Sequence, residues 1–142
     1  MKLDLDIRLI VKEELNSIVP LLAQLNPKIS NEVLGNRLNE MIVQGYKCVG
    51  IFDNKRLIGI SGIWILTKYY IGKHIEPDNV FILPEYQGKG IGGRLMNWIF
   101  EYAKSLGCVA SELNCYTENE AGQRFWKQQG YEVVAYHFKK QL

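Results

Sequence analysis

The stretch Pro84-Glu85-Tyr86-Gln87-Gly88-Lys89-Gly90-Ile91-Gly92-Gly93 lies between an apolar run, Val80-Phe81-Ile82-Leu83, and a segment whose apolar residues recur at helical spacing. A strand, a glycine loop and a helix in that order make an anion site. With glycine at 88, 90, 92 and 93 the main chain can curl so that successive N–H groups converge, and the following helix adds the positive end of its dipole. A phosphate-bearing cofactor is the expected guest.

Outward from the loop, the helix carries Ile91, Leu95, Trp98, Ile99, Tyr102 and Leu106 on one face and stops at Gly107. A strand over Val109–Cys115, a helix over Asn119–Gln129 and a last strand over Tyr131–Phe138 follow. Upstream, Leu5–Val11 reads as a first strand. Leu15, Ile18, Val19, Leu22 and Leu25 then recur at helical spacing, with a kink expected at Pro20 and a stop at Asn26-Pro27. Ser30 is the expected N-cap of a second helix, striped by Leu34, Leu38, Met41 and Ile42 and ended by Gly45. Two strands, Tyr46–Phe52 and Leu57–Leu66, flank a turn at Asp53-Asn54-Lys55-Arg56, and Gly59 and Gly62 mark expected bulges. A polar, tyrosine-rich loop over Thr67–Pro77 leads to the strand at Val80–Leu83. The expected order is βααβββαβαβ, an α/β (α+β) fold with one mixed sheet flanked by helices, and a single domain over residues 1–142.

Composition narrows the function classes. Across 142 residues, 47% hydrophobic and 23% charged is ordinary globular usage, which argues against disorder. A formal net charge of +2, with no dense Lys/Arg run except the short Lys139-Lys140 end, gives nucleic acid or a membrane surface no footprint. Met1 to Asp6 alternates acidic and apolar residues without a long apolar core, and no segment approaches a membrane span. The cysteines, Cys48, Cys108 and Cys115, are odd in number and lack CxxC spacing. Neither a disulfide framework nor a metal site is expected, and a cytoplasmic location fits best.

Two kinds of glycine loop compete for the opening stretch. Gly88, Gly90 and Gly93 fit G-x-G-x-x-G, and Glu112 follows Gly93 by 19 residues, near where a dinucleotide fold places its ribose-binding acid. Against that reading, Pro84 to Gln87 separate the strand from the glycines, three strands precede, and only roughly fifty residues follow. A Walker loop is excluded because no Gly-Lys-Ser/Thr stands at the required spacing.

Gln87-Gly88-Lys89-Gly90-Ile91-Gly92 resembles the Q/R-x-x-G-x-G/A signature of the GNAT superfamily of N-acetyltransferases, with the lead-in Val80 to Tyr86. A second family motif, N-x-x-A-x-x-F-Y-x-x-x-G-F, is similar to Asn119, Gly122, Phe125, Trp126, Gly130 and Tyr131 at the same spacing. The resemblance implies acetyl-CoA as acyl donor. Its pyrophosphate would rest on Gln87, Gly88, Lys89, Gly90, Ile91, Gly92 and Gly93, and its pantetheine arm on Phe81, Ile82 and Leu83. Asn119 would reach the cofactor or cap its helix, and Phe125 would pack beside it. The acceptor implied is a primary amine of a small molecule or peptide, which attacks the thioester directly in a ternary complex, and the protein would be a monomer or homodimer. Its site is expected between Asn26–Asn31 and the Tyr69-Tyr70 loop.

The chemistry requires two proton movements. An alkyl ammonium with a pKa of about 10.4 is neutral in only about one molecule in a thousand at pH 7, so a base is needed. Glu76, eleven residues before Gln87, stands at the offset of the catalytic glutamate in the histone-acetylating branch, and Asp78 shares its strand face. For the departing thiolate many family members use a tyrosine where this chain has Trp126, whose indole N–H donates but is no acid. Tyr116 and Tyr136 are the candidate replacements. Without any acid, the alternative is a non-catalytic acyl-CoA-binding module.

Overall fold

The computed structural model describes residues 4–142, so Met1 to Leu3 of the alternating N-terminal stretch lie outside the described residues. Five strands form one sheet in the order β1-β2-β3-β4-β5: β1 Leu5–Leu9, β2 Lys47–Asp53, β3 Arg56–Lys68, β4 Gly72–Ile82 and β5 Ala110–Ser111. The first four pair antiparallel and β5 joins β4 in parallel. The helices are α1 Val19–Leu25, α2 Asn31–Val43, α3 Ile91–Ser105 and α4 Glu120–Gln128.

Local chemistry explains most boundaries. Pro20 does not kink a long helix; the chain first makes a 3-10 segment over Lys12–Ile18, and Pro20 stands in the first turn of α1, where its missing N–H costs nothing. The Ser30 hydroxyl accepts from the Val33 N–H at 3.2 Å and caps α2, and Gly45 leaves that helix at φ 102°. Asn54, at φ 56°, turns β2 into β3. Register shifts fall beside both expected glycines, between Ile51 and Phe52 opposite Gly59 and between Ile60 and Gly62.

Three expectations about the strands are corrected. The loop placed over Thr67–Pro77 is mostly strand: β3 runs to Lys68, β4 starts at Gly72, and Pro77 pairs with Ile63 inside the ladder. Cross-strand pairing along thirteen residues of β3 overrides the polar composition that suggested a loop. The strand expected over Tyr131–Phe138 does not form; Glu132 to Leu142 is exposed throughout and carries no regular structure. Val109–Cys115 likewise shortens to Ala110–Ser111.

The core lies between sheet and helices. Ile18, Leu38, Val49, Ile51, Ile58, Ile60, Ile63 and Ile75 belong to one core cluster with Leu95, Met96 and Ile99 of α3, all with essentially no exposure. Ile75 also lines a groove with Phe100 and Ala103 of α3. Strand alternation therefore turns His74 and Glu76 to the opposite face of β4.

Candidate active site

The site begins where β4 and β5 part. They pair only at His74↔Ala110 and Ile75↔Ser111, and the Glu112 N–H then closes onto the Ile75 carbonyl at 3.1 Å. Beyond that point no strand, among the described residues, pairs with this side of β4, and the wedge between the diverging chains runs toward Ile82.

At the wedge's end stands the glycine loop. A 3-10 turn over Pro84–Tyr86 is pinned to the β2–β3 hairpin by Arg56 on Glu85 at 2.7 Å and by the Tyr86 hydroxyl on Asp53 at 2.5 Å. Gly88 and Gly90 adopt φ 73° and 76°, left-handed conformations that an L side chain resists. Gly90 is the N-cap of α3 and supplies no side chain to the first helical N–H groups, the position at which helices bind anions. The first turn of α3 carries no acidic residue but does carry Arg94, and Lys89 precedes it. Each of these features favours an anion.

Glycine at 92 has another reason. A Cβ there would lie 2.8 Å from the Phe125 ring, so its absence lets α4 close on the first turn of α3. Phe125 thus lies beside the loop. The Asn119 side chain accepts from the Gly122 N–H at 2.9 Å and caps α4. Gln87 turns back, its amide donating to the Ile82 carbonyl at 2.7 Å, while the Leu83 N–H bonds the Ile58 carbonyl at 2.9 Å. Two main-chain groups in the stretch expected to meet the cofactor are therefore satisfied within the chain.

At the wedge's apex, five side chains from β3, β4, β5 and their connections converge. Glu76 accepts from His74 Nε2 at 2.8 Å and from Lys68 Nζ at 3.2 Å. Glu112 accepts from Lys68 at 3.2 Å and from the Tyr70 hydroxyl at 2.7 Å, and lies 3.4 Å from His74 Nε2. The donor atoms of His74, Glu76 and Glu112 lie within 4.8 Å of one another, and Lys68 brings positive charge to both carboxylates. Sequence reasoning missed this cluster because its members are local neighbours only in space. Glu112, weighed as a ribose-binding acid, is engaged here instead.

His74 is buried, and its Nδ1 faces the Gly72 carbonyl at 3.0 Å. A carbonyl and a carboxylate both accept, so one ring satisfies both contacts only when both nitrogens carry protons. Burial pushes the His74 pKa down, but the Gly72 carbonyl, Glu76 and Glu112 together outweigh it, and the net shift is upward. The Tyr70 hydroxyl holds the Glu112 carboxyl below its ordinary value; burial opposes this, and Lys68 and His74 reinforce it.

Asp78 is differently placed. Its two oxygens take the Trp64 indole N–H at 3.0 Å and the Asn79 main-chain N–H at 2.8 Å. Asn79, at φ 44°, forms the irregular step opposite Gly62, and its side-chain oxygen accepts from the Tyr46 hydroxyl at 3.1 Å. Burial raises the Tyr46 pKa far above that of a free tyrosine. The Asn79 Nδ2 is buried without a partner.

Tyr116 is 78% exposed on the chain that follows the wedge, and Tyr136 is 87% exposed on the C-terminal tail. The structure brings neither to the carboxylate cluster. Trp126 packs edge-on against Phe125 and Tyr131, with centroids 4.9 and 5.5 Å apart. No helix among the described residues is long and apolar enough to cross a membrane.

Comparison with known proteins agrees with this geometry. Residues 17–131 match the model of the Acetyltransferase (GNAT) family. An uncharacterized N-acetyltransferase of Methanocaldococcus jannaschii is 39% identical over 57 residues, covering 40% of this chain and 25% of that protein. The thialysine N-epsilon-acetyltransferase of Sus scrofa is 24% identical over 74 residues, covering 52% of this chain and 44% of the other. The matches thus span less than half of either relative's length. A solved aminoglycoside N-acetyltransferase in complex with CoA superposes with a TM-score of 0.83 at 20% identity, covering 100% of this chain and 97% of that one.

Proposed function

Because the chain belongs to the GNAT acetyltransferase family, we propose that it transfers the acetyl group of acetyl-CoA to an amine, by direct attack of the amine on the thioester. The observation that carries this reading is the wedge between β4 and β5, with an anion cradle at one end and a carboxylate cluster at the other. The main-chain N–H groups from Gly88 to Gly93 and the start of α3 would hold the pyrophosphate. The pantetheine arm would follow β4 past Phe81, Ile82 and Leu83, where the ladder has no strand on that side. Gln87 would act by fixing the loop to β4, not by touching phosphate. Asn119 would combine its cap with cofactor contact through its amide nitrogen.

Glu76 is the base in this reading. Its carboxylate is part-exposed, whereas both Asp78 oxygens are already occupied by donors, so Asp78 is assigned to shaping the β4 irregularity. His74 is a positioning residue that shares a proton with Glu76 from behind. An incoming ammonium would displace or neighbour the Lys68 ammonium, which already shows that the two carboxylates accept a cation. Amine and thioester held at reacting distance supply most of the rate through orientation. The thiolate, with a pKa near that of cysteine, about 8.5, can leave without a dedicated acid, and Tyr116 remains the candidate should one be used. The acceptor is a small-molecule or peptide amine. The free cysteines are consistent with a cytoplasmic enzyme.

The test is direct. Acetyl-CoA with a panel of diamines, amino sugars and peptides should release free thiol in proportion to acetylated amine, and Glu76→Gln should lower kcat by about 10²–10⁴-fold with little change in CoA affinity. Unchanged turnover in Glu76→Gln would remove Glu76 from the reaction.

A further inference from the structure

The carboxylate cluster holds more ligand chemistry than the proposed reaction uses. Among the described residues, His74, Glu76 and Glu112 each offer a donor atom, and these atoms lie within 4.8 Å of one another. His74 Nε2 faces Glu76 Oε2 at 2.8 Å and Glu112 Oε1 at 3.4 Å. Ligands about 2.0–2.1 Å from a tetrahedral zinc ion stand roughly 3.3–3.4 Å apart, so small rotations of the two carboxylates would seat one.

The imidazole is a second, independent sign. His74 has no exposure, and its Nε2 is paired with the two carboxylates alone. Its Nδ1 lies 3.0 Å from the Gly72 carbonyl, the outer contact by which metal-binding histidines aim the other nitrogen's lone pair at the ion. Glu112 has matching support, because the Tyr70 hydroxyl donates to it at 2.7 Å. The Glu76 and Glu112 side chains are 19% and 25% exposed, so water reaches the cluster from one side.

Lys68 shows that this point in the structure already draws positive charge. Its Nζ lies 3.2 Å from Glu76 Oε2 and 3.2 Å from Glu112 Oε1, the same two oxygens that face His74. The Lys68 side chain is 43% exposed and can swing into water. Its ammonium and the Nε2 proton together exchange for one divalent cation with no change in the charge of the cluster.

We propose that His74, Glu76 and Glu112 form a binding site for a divalent transition-metal ion, with Lys68 as its displaceable internal competitor. Zn²⁺ is the best match to one imidazole and two carboxylates. On binding, the Nε2 proton leaves to solvent, the neutral imidazole and both carboxylates supply three ligands, and water completes the tetrahedron. Magnesium demands near-octahedral oxygen ligands and calcium six to eight of them, so both fit this set poorly. The cysteines take no part. On the acetyl-transfer reading, an ion held here would take Glu76 from the incoming amine and stop the reaction; the binding itself does not depend on that reading.

Calorimetric titration of the full chain with Zn²⁺, free of acetyl-CoA and amines, should show one ion per chain, and Mg²⁺ should show none. Glu112→Gln should abolish zinc binding, and Tyr70→Phe should weaken it about 10–100-fold. Lys68→Met should tighten it about tenfold, because a positive charge on the same oxygens is gone. A gain in affinity is a result that no misfolded variant would give. Absence of zinc binding in the wild type, magnesium bound as tightly as zinc, binding that survives Glu112→Gln, or weaker binding in Lys68→Met would each overturn the proposal. Such a failure leaves acetyl transfer untouched, and a chain that binds zinc but transfers no acetyl group would refute only the reaction.

Discussion

Replacing Gly90 by alanine isolates the backbone geometry of the cradle from every packing effect. Gly90 has φ 76° and ψ 8°, and a Cβ added there meets nothing within 4 Å. Any effect must therefore come from holding an L residue in the left-handed region, which costs roughly 1–2 kcal/mol. The loop can respond in two ways. If the free loop relaxes and must return to the left-handed form to bind, the whole cost appears in CoA affinity, about a 5–30-fold loss at 1.4 kcal/mol per factor of ten. If the loop is held rigidly, the cost appears in stability, a melting decrease of about 2–8 °C. Calorimetric titration with CoA and thermal melting of the free protein together should recover the sum. Gly93→Ala is the control, because Gly93 lies inside α3 with ordinary φ and its added Cβ would be 3.9 Å from the nearest atom, Gln129 Nε2. Gly90→Ala matching wild type in both affinity and melting temperature would refute the cradle assignment.

Three further outcomes follow from the same geometry. His74→Asn should lower kcat and leave CoA affinity nearly unchanged, because His74 holds the Glu76 carboxylate in place without facing the cofactor cradle. Unchanged kcat in His74→Asn would remove that positioning role. In stability, a raised folded pKa makes the His74 contacts fully effective below about pH 6.5 and lost as pH rises through the raised value, so wild type but not His74→Asn should lose melting temperature across that window. Gly62→Ala should destabilise the fold by about 1–3 kcal/mol, because its Cβ would run into the Asn79 side chain and the Tyr46 ring, and chemical denaturation with an unchanged midpoint would contradict this.

The cradle was legible in the sequence because everything that makes it is local. Glycine punctuation, the strand before it and the helix after it occupy one continuous segment, and positive φ at Gly88 and Gly90 is what those residues are for. The start of β4 was hidden because, Ile75 apart, Gly72 to Pro77 are glycine, polar or ring-restricted, and pairing with β3 makes them strand. Glu76 could be named from its offset, but its partners could not. Lys68, Tyr70 and His74 share its neighbourhood only after the β3–β4 pair forms, and Glu112 arrives from a fourth segment. The tail shows the opposite case: alternation suggested a strand over Tyr131–Phe138, but a strand forms only where an edge receives it, and no described strand pairs with the tail.

The central claim, that this wedge joins acetyl-CoA to an amine, is tested most directly by thiol release from acetyl-CoA, followed with and without each amine by mass analysis of the products. The account predicts amine-dependent release, one acetylated amine per thiol and no acetylated protein intermediate. CoA binding with no thiol released by any amine would contradict it.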